Sequence, residues 1–260
     1  FVWIRNLAHA RRAFGEHFAS EACVELGVRL AQVAPDSASY ILAVADDCFV
    51  LWASPAQCRE PDWIEQVLVT VGTRPVSVGG QEFVAMLHAG WTALEADTPR
   101  RLTQDESNEV LFRASEATSP YAELAEHSSL DRFLTDMAVA VKVARALTVN
   151  RLSCQWQGIF SPYANANVLY WRTAPRLQAA GVDHGLYSYA QIMRPLERLG
   201  LTRLLDRSMA LQVFGRLLRD PSLRLACRIS SRSVQKDHYW TELLDALSSH
   251  PTVASRFTLE

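Results

Sequence analysis

The sequence predicts a mixed fold, α/β and α+β: a domain with an antiparallel-containing sheet flanked by helices, then the N-terminal part of a parallel (β/α) barrel. Three observations predict it. Apolar runs on either side of Asp46-Asp47 read as a hairpin. A long stretch rich in Ala, Val and Leu separates two halves of different pattern. Beyond it, strand-like and helical segments alternate. With 260 residues the chain is long enough for two domains, and the pattern divides it into a first domain at 1–120, a helical linker at 121–150 and a barrel portion at 151–260.

The elements follow in order. Residues 1–4 are a short apolar strand. Phe14, Phe18, Ala22, Leu26 and Leu30 recur at i, i+4 spacing, which predicts one helix over 8–33 with a single buried face. Pro35-Asp36-Ser37 ends it. Residues 40–45 and 49–53 are the strands of the hairpin, 62–71 a helix, and 75–87 a second hairpin turning at Gly79-Gly80. A helix is expected over 104–113. The connector spans 129–147, with Asp131 in its first turn and Lys142 and Arg145 near its end, as the helix dipole favours. Strands over 152–160, 167–172, 223–229 and 256–259, with helices over 189–199, 202–218 and 238–247, have the strand–helix alternation of a parallel barrel. Four of the eight strands a barrel needs are present.

Composition excludes several classes. A chain that is 49% hydrophobic and 21% charged, with net charge −2, is globular and has no global drive toward nucleic acid or anionic membrane. Cys23, Cys48, Cys58, Cys154 and Cys227 form no C-x-x-C pair, which suits reduced thiols in a cytoplasmic protein. The seven histidines lack metal-ligand spacing. No run is apolar enough to span a bilayer, and no signal-peptide pattern opens the chain. It begins at Phe1 without Met and stops at Glu260, each inside a strand-like run. It is therefore expected to be part of a longer polypeptide, with room for an upstream membrane or sensor segment.

Several blocks carry a family resemblance. Phe14-Gly15 with its helix, the hairpin Ala45-Asp46-Asp47-Cys48-Phe49 and the run Val110-Leu111-Phe112-Arg113-Ala114 resemble a GGDEF domain, the diguanylate cyclase fold. The second half resembles an EAL domain, the cyclic di-GMP phosphodiesterase barrel. Trp156-Gln157-Gly158-Ile159 stands where that family has Tyr-Gln-Pro-Ile, and Asn167-Val168-Leu169-Tyr170-Trp171-Arg172 where it has Glu-Ala-Leu-Leu-Arg-Trp. Gly185 to Leu205 follows the family's helical pattern, Leu225 to Val234 its third strand, and Thr258-Leu259-Glu260 the opening of Leu-Glu-Ile-Thr-Glu.

The resemblance implies lost chemistry in both halves. In the first, the cyclase's metal carboxylates fall at about Trp3 and Arg5, neither of which ligates Mg²⁺. Ala45 and Asp46 replace the hairpin glycines that admit phosphate, Cys48 replaces the glutamate, and Asp47 and Phe49 are retained. The guanine-binding Asn falls near Arg11, and Asp36 and Ser39 stand where the family has its inhibitory Arg-x-x-Asp. Asp46-Asp47 is then chiefly a polar hairpin tip.

In the second half the first metal ligand is Asn167 and the third-strand ligand is Arg228; Glu260 is the ligand position retained. A cation about 4 Å from a divalent ion costs roughly 8 kcal/mol at an effective dielectric of about 20, so Mg or Mn binding and a cofactor are not expected. Arg228 is expected to pair with Glu260, with Asn167 beside them at the barrel mouth. The catalytic positions Asp47, Asn167 and Arg228 are thus degenerate, and the ligand-binding candidates are Gln157, Leu169, Arg172 and Arg228. Trp171 takes the place of the phosphate-binding Arg, so Arg172 can substitute only if the strand register slips.

The reading that follows is a non-enzymatic regulator in cyclic di-GMP-related signalling, acting through protein partners or residual sensing of the dinucleotide. An active phosphodiesterase with an altered metal site is one alternative. An RNA-associated scaffold is another, resting on Arg194, Arg198, Arg203, Arg207, Arg216, Arg219, Arg224, Arg228 and Arg232.

Overall fold

A computed structural model describes residues 1–33, 40–52, 63–90, 130–149, 151–162, 167–177, 188–231, 233–234 and 238–260. The helix expected over 104–113 lies outside them. The architecture is mixed helix and sheet, in two compact units, Phe1–Leu134 and Thr135–Glu260.

The first unit is built on a four-stranded antiparallel sheet in the order β2-β3-β1-β6, from β1 (Val2–Ile4), β2 (Tyr40–Ala45), β3 (Cys48–Trp52) and β6 (Leu87–Ala89). A small hairpin, β4 (Val76–Val78) with β5 (Gln81–Phe83), turns at Gly79-Gly80, both at positive φ as a two-residue turn requires. β6 was not foreseen as a separate strand: the expected hairpin ends at Leu87, the first of its three residues.

The single helix expected over 8–33 is two, α1 (Leu7–Phe14) and α2 (Glu16–Val33). Gly15 separates them, at φ 92° and ψ 170°, a conformation almost confined to glycine. The i, i+4 spacing survived the break because Phe18, Ala22, Leu26 and Leu30 all belong to α2, and all four are buried. Phe18 meets Phe83 edge-on at 6.3 Å. Asn6 is fully buried and satisfied: its amide donates to the Val84 carbonyl at 2.9 Å, and its oxygen accepts from the Met86 N–H at 2.9 Å. α3 (Trp63–Gly72) completes the described helices of this unit.

The helix α4 (Leu130–Thr148) contains the division between the units. In the second unit, β7 (Leu152–Phe160), β8 (Val168–Leu177), β9 (Leu225–Cys227) and β10 (Phe257–Leu259) form an open sheet ordered β10-β9-β8-β7. The second, third and fourth strands are neighbours and parallel, as expected. β7 is antiparallel to β8, so the alternation that predicted parallel strands throughout does not extend to the first pair. Too few residues separate those two strands for a crossover helix.

The remaining helices are α5 (Tyr189–Leu199), α6 (Thr202–Arg219), α7 (His238–Ser249) and the single turn α8 (Pro251–Ala254). Ser188 and Gln191 form a capping box at the start of α5, and Gly200 closes it in the left-handed region at φ 68°. Asp136 on α4 is 3% exposed and is held by Arg198 of α5 through two bonds of 2.5 and 2.6 Å. α6 packs on β8, β9 and β10 through a face that includes Leu205, Met209, Val213 and Leu217.

Nothing lies within 4 Å of a Cβ added at Gly15, so its substitution tests the backbone alone. Gly15→Ala is expected to lower stability by about 1–3 kcal/mol, read as a fall in the urea midpoint at unchanged slope.

Candidate functional site

The register of the second sheet assembles the candidate site. Arg172 stands level with Ala226, and Ala226 with Thr258. The ladder continues past the strand ends, where Glu260 N–H donates to the Cys227 carbonyl at 2.9 Å and Ile229 N–H to the Glu260 carbonyl at 3.0 Å. Alternation then places Arg172, Arg228 and Glu260 on one face. Gln157 is directly opposite Arg172 on β7, and Ile159 opposite Tyr170, so they share that face as well.

A bulge puts Arg172 there. Ile159 pairs with Tyr170 and Phe160 with Val168, which leaves Leu169 as the extra residue of β8. With that extra residue, Arg172 stands opposite Gln157 and on the same face as Tyr170. Leu169 itself is 47% exposed and serves as the bulge residue.

The expected Arg228–Glu260 pair is replaced by another. Glu260 Oε2 accepts from Arg172 Nε at 2.5 Å, and Oε1 from the Tyr170 hydroxyl at 2.7 Å. The Arg228 guanidinium instead lies 4.7 Å from the centroid of the Tyr189 ring, a cation–π contact. Asn167 also departs from expectation. It precedes β8, whereas Arg228 and Glu260 follow β9 and β10; in parallel strands these are opposite edges of the sheet, so Asn167 does not join them.

Electrostatics follow from these contacts. Burial pushes the Glu260 carboxyl up, but hydrogen bonds from Arg172 and Tyr170 and the charges of Arg172 and Arg228 outweigh it, and the net direction is down. Tyr170 is raised, first by its bond to the Glu260 carboxylate. Tyr189 is raised by burial, against the nearby charge of Arg228. Both oxygens of the Glu260 carboxylate accept from donors. A divalent ion does not fit this donor set: it would have to displace a guanidinium and a hydroxyl and lie near a second guanidinium. Among the described residues, no three His, Cys, Asp or Glu side chains converge as a metal site would require.

Behind this face lies a buried polar cluster that the sequence did not announce. Asp206 on α6 is 2% exposed. Its Oδ2 accepts from the Ser230 N–H at 2.9 Å and from the Ser233 hydroxyl at 2.5 Å. The Thr202 and Ser233 hydroxyls are 3.2 Å apart, and the Trp240 indole donates to the Ser233 carbonyl at 2.5 Å. Burial pushes the Asp206 carboxyl up to about 6, against the lowering effect of its two hydrogen bonds. In the sequence, the signal for it is Asp206 itself, an acidic residue amid the apolar spacing of its helix.

In the first unit, Asp46 and Asp47 form the two-residue turn of the β2–β3 hairpin. The Asp47 carbonyl accepts from the Ile4 N–H at 2.8 Å. A cleft of about 450 Å³ lies between α2 and β2, lined among others by Arg11, Ser20, Cys23, Gly27, Asp46 and Phe49. Arg11 bridges its mouth, 3.0 Å from Asp46 and 2.7 Å from Glu16. The Cys23 thiol donates to the Asp46 carbonyl, and burial, with Asp46 nearby, pushes it up to about 11. Cys48 is buried and likewise pushed up to about 11, first by desolvation. Trp3 pairs with Cys48 across the strands and stacks on Phe1 at 5.8 Å. Three members of the arginine series are engaged locally: Arg198 with Asp136, Arg207 with Glu242 at 3.9 Å and Arg216 with Asp220 at 3.8 Å.

No protein-family model matches the chain, and no curated protein sequence matches it. Among solved structures it is similar to the S helix–GGDEF–EAL portion of Vibrio cholerae LapD. The identity is 14% with a TM-score of 0.42 for the apo form, and 15% with 0.41 for the form bound to c-di-GMP. Each comparison covers 99% of this chain and 60% of the other, so the chain spans about 60% of the length of those structures. No described helix is long and apolar enough to cross a membrane.

The Asp206 carboxyl makes a pH prediction. Its folded value, about 6, is above the ordinary 3.8, so between these the folded state holds a proton that the unfolded state has lost. Stability should therefore fall as pH rises through that window, by about 3 kcal/mol in total, and stay low above it. Urea denaturation from about pH 4 to about pH 7 should show this slope in the parent chain and a much flatter profile in Asp206→Asn.

Proposed function

We propose that the chain is a catalytically inactive GGDEF–EAL regulator in cyclic di-GMP signalling, and that the face bearing Arg172 and Arg228 holds the dinucleotide without hydrolysing it. The observation that carries this reading is the Arg172–Glu260–Tyr170 contact. It ties up the carboxylate that metal-assisted hydrolysis would need; phosphodiester oxygens would compete with Glu260 for Arg172 and meet Arg228 on the same face. Gln157 is an exposed amide beside Arg172, and the Tyr170 and Tyr189 rings offer surfaces on which bases can stack.

The protein-contact form of the same reading is favoured by the opposite face of the hairpin. Trp156 (36% exposed), Phe160 (55%) and Trp171 (37%) stand there around Gly158, whose missing Cβ leaves room for the last two. Aromatic side chains left this exposed are common at partner surfaces.

Calorimetric titration with cyclic di-GMP tests the first reading, and binding is expected with or without Mg²⁺ or Mn²⁺. Arg172→Ala and Arg228→Ala should each weaken it. Glu260→Gln removes the carboxylate that competes for Arg172 and should tighten binding by about 1 kcal/mol. Turnover of cyclic di-GMP with either metal would sink the proposal in favour of an active phosphodiesterase.

A further inference from the structure

We propose that Asp206 is a protonation-sensitive anchor for the loop that carries Arg228, and that neutralising it loosens this loop and lowers the affinity of the Arg172–Arg228 face for an anionic ligand. The ligand half of this inference rests on the function proposed above; the anchor half does not.

The geometry is as follows. Arg228 leaves β9 and is followed at once by Ile229 and Ser230. Ile229 is tied along the strand ladder, to the Glu260 carbonyl. The next tie reaches across to α6, from the Ser230 N–H to Asp206, and the Ser233 hydroxyl meets the same oxygen. A turn bond from Ser233 N–H to the Ser230 carbonyl at 2.9 Å makes one unit of the two serines. One buried carboxylate oxygen therefore sets the position of the backbone two residues beyond Arg228.

Protonation changes these two bonds differently. The Ser233 hydroxyl can rotate and accept a proton from the neutral acid, so that contact persists. The Ser230 amide can only donate, and it loses a charged acceptor for a neutral one, roughly halving the strength of its bond. The loop thus loosens on the side of Arg228. Among the described residues, the titratable groups that interact with Asp206 are Glu197 and Tyr189 from α5 and Cys227 from β9; Trp240 of α7 and Thr202 of α6 hold Ser233 without titrating. Burial brings the carboxyl up to about 6, with Glu197 adding to the rise, so the change falls in a mildly acidic range.

Two observables should then move in opposite directions on acidification. The fold gains stability because a buried charge is removed, while the site loses affinity because its loop is less fixed. A purely structural role for Asp206 predicts only the first.

The test has two arms. In the ligand-free chain, the Ser230 amide resonance is followed by NMR from about pH 7.5 to about pH 5. It should titrate with a midpoint near 6 and be flat in Asp206→Asn. Ser233→Ala removes a hydrogen bond that favours the ionised form and should move that midpoint upward, which keeps the test available if Asp206→Asn does not fold. In the second arm, the affinity for cyclic di-GMP, whose phosphodiesters stay ionised throughout, should fall at least about five-fold over the same range and stay constant in Asp206→Asn. A Ser230 amide that ignores pH in this range overturns the anchor. Equal pH dependence of affinity in the parent and Asp206→Asn overturns the coupling. Absence of binding at both pH values overturns the anion-site reading and the ligand half with it, and the Ser230 titration then decides the anchor alone.

Discussion

The second unit depends on one carboxylate and what surrounds it. Glu260 follows the last strand on the same face as Arg172 and Arg228, and it is Arg172 that takes it. The arginine brings to that carboxylate a charge that cannot be discharged by losing a proton. Tyr170 closes the other oxygen. Arg228 acts on that carboxylate through its charge and lies against the Tyr189 ring. The electrostatic character of the whole face follows from which of two cations reached the anion.

The first unit repeats this economy in a different fold. Its hairpin turn carries two aspartates where a phosphate-binding turn would need small, neutral residues. One of them is met by Arg11 across the mouth of the cleft. Burial pushes the Cys23 and Cys48 thiols up, which disfavours the thiolate. In both units, groups placed like reactive ones are held in neutralising contacts.

How far the sequence could be read depended on the range of each interaction. Local pattern located the elements well: β7 and α5 begin and end where their residues predicted, and α6 and the connector differ by a residue or two at their ends. Pattern failed where two elements share one periodicity. The spacing of Phe18, Ala22, Leu26 and Leu30 was a true helix signal, but it carried no information about Gly15, whose backbone angles separate α1 from α2. It failed again at the first strand pair of the second sheet, because alternation of strand and helix does not reveal that the first connection is too short for a helix to cross.

At the site, residue types announced the chemistry and register decided the geometry. That Arg172 and Arg228 are cationic, that Glu260 is acidic and that Gln157 is a polar strand residue could all be read from the chain, because side-chain identity is local. Which arginine holds Glu260 could not, because it depends on one extra residue at Leu169 that moves every later side chain of β8 to the other face. Nor could the place of Asp206, whose partners Ser230 and Ser233 are 24 and 27 positions away and meet it only once α6 has packed on the sheet. Contacts of that separation are set by how elements dock, and no local pattern encodes the docking.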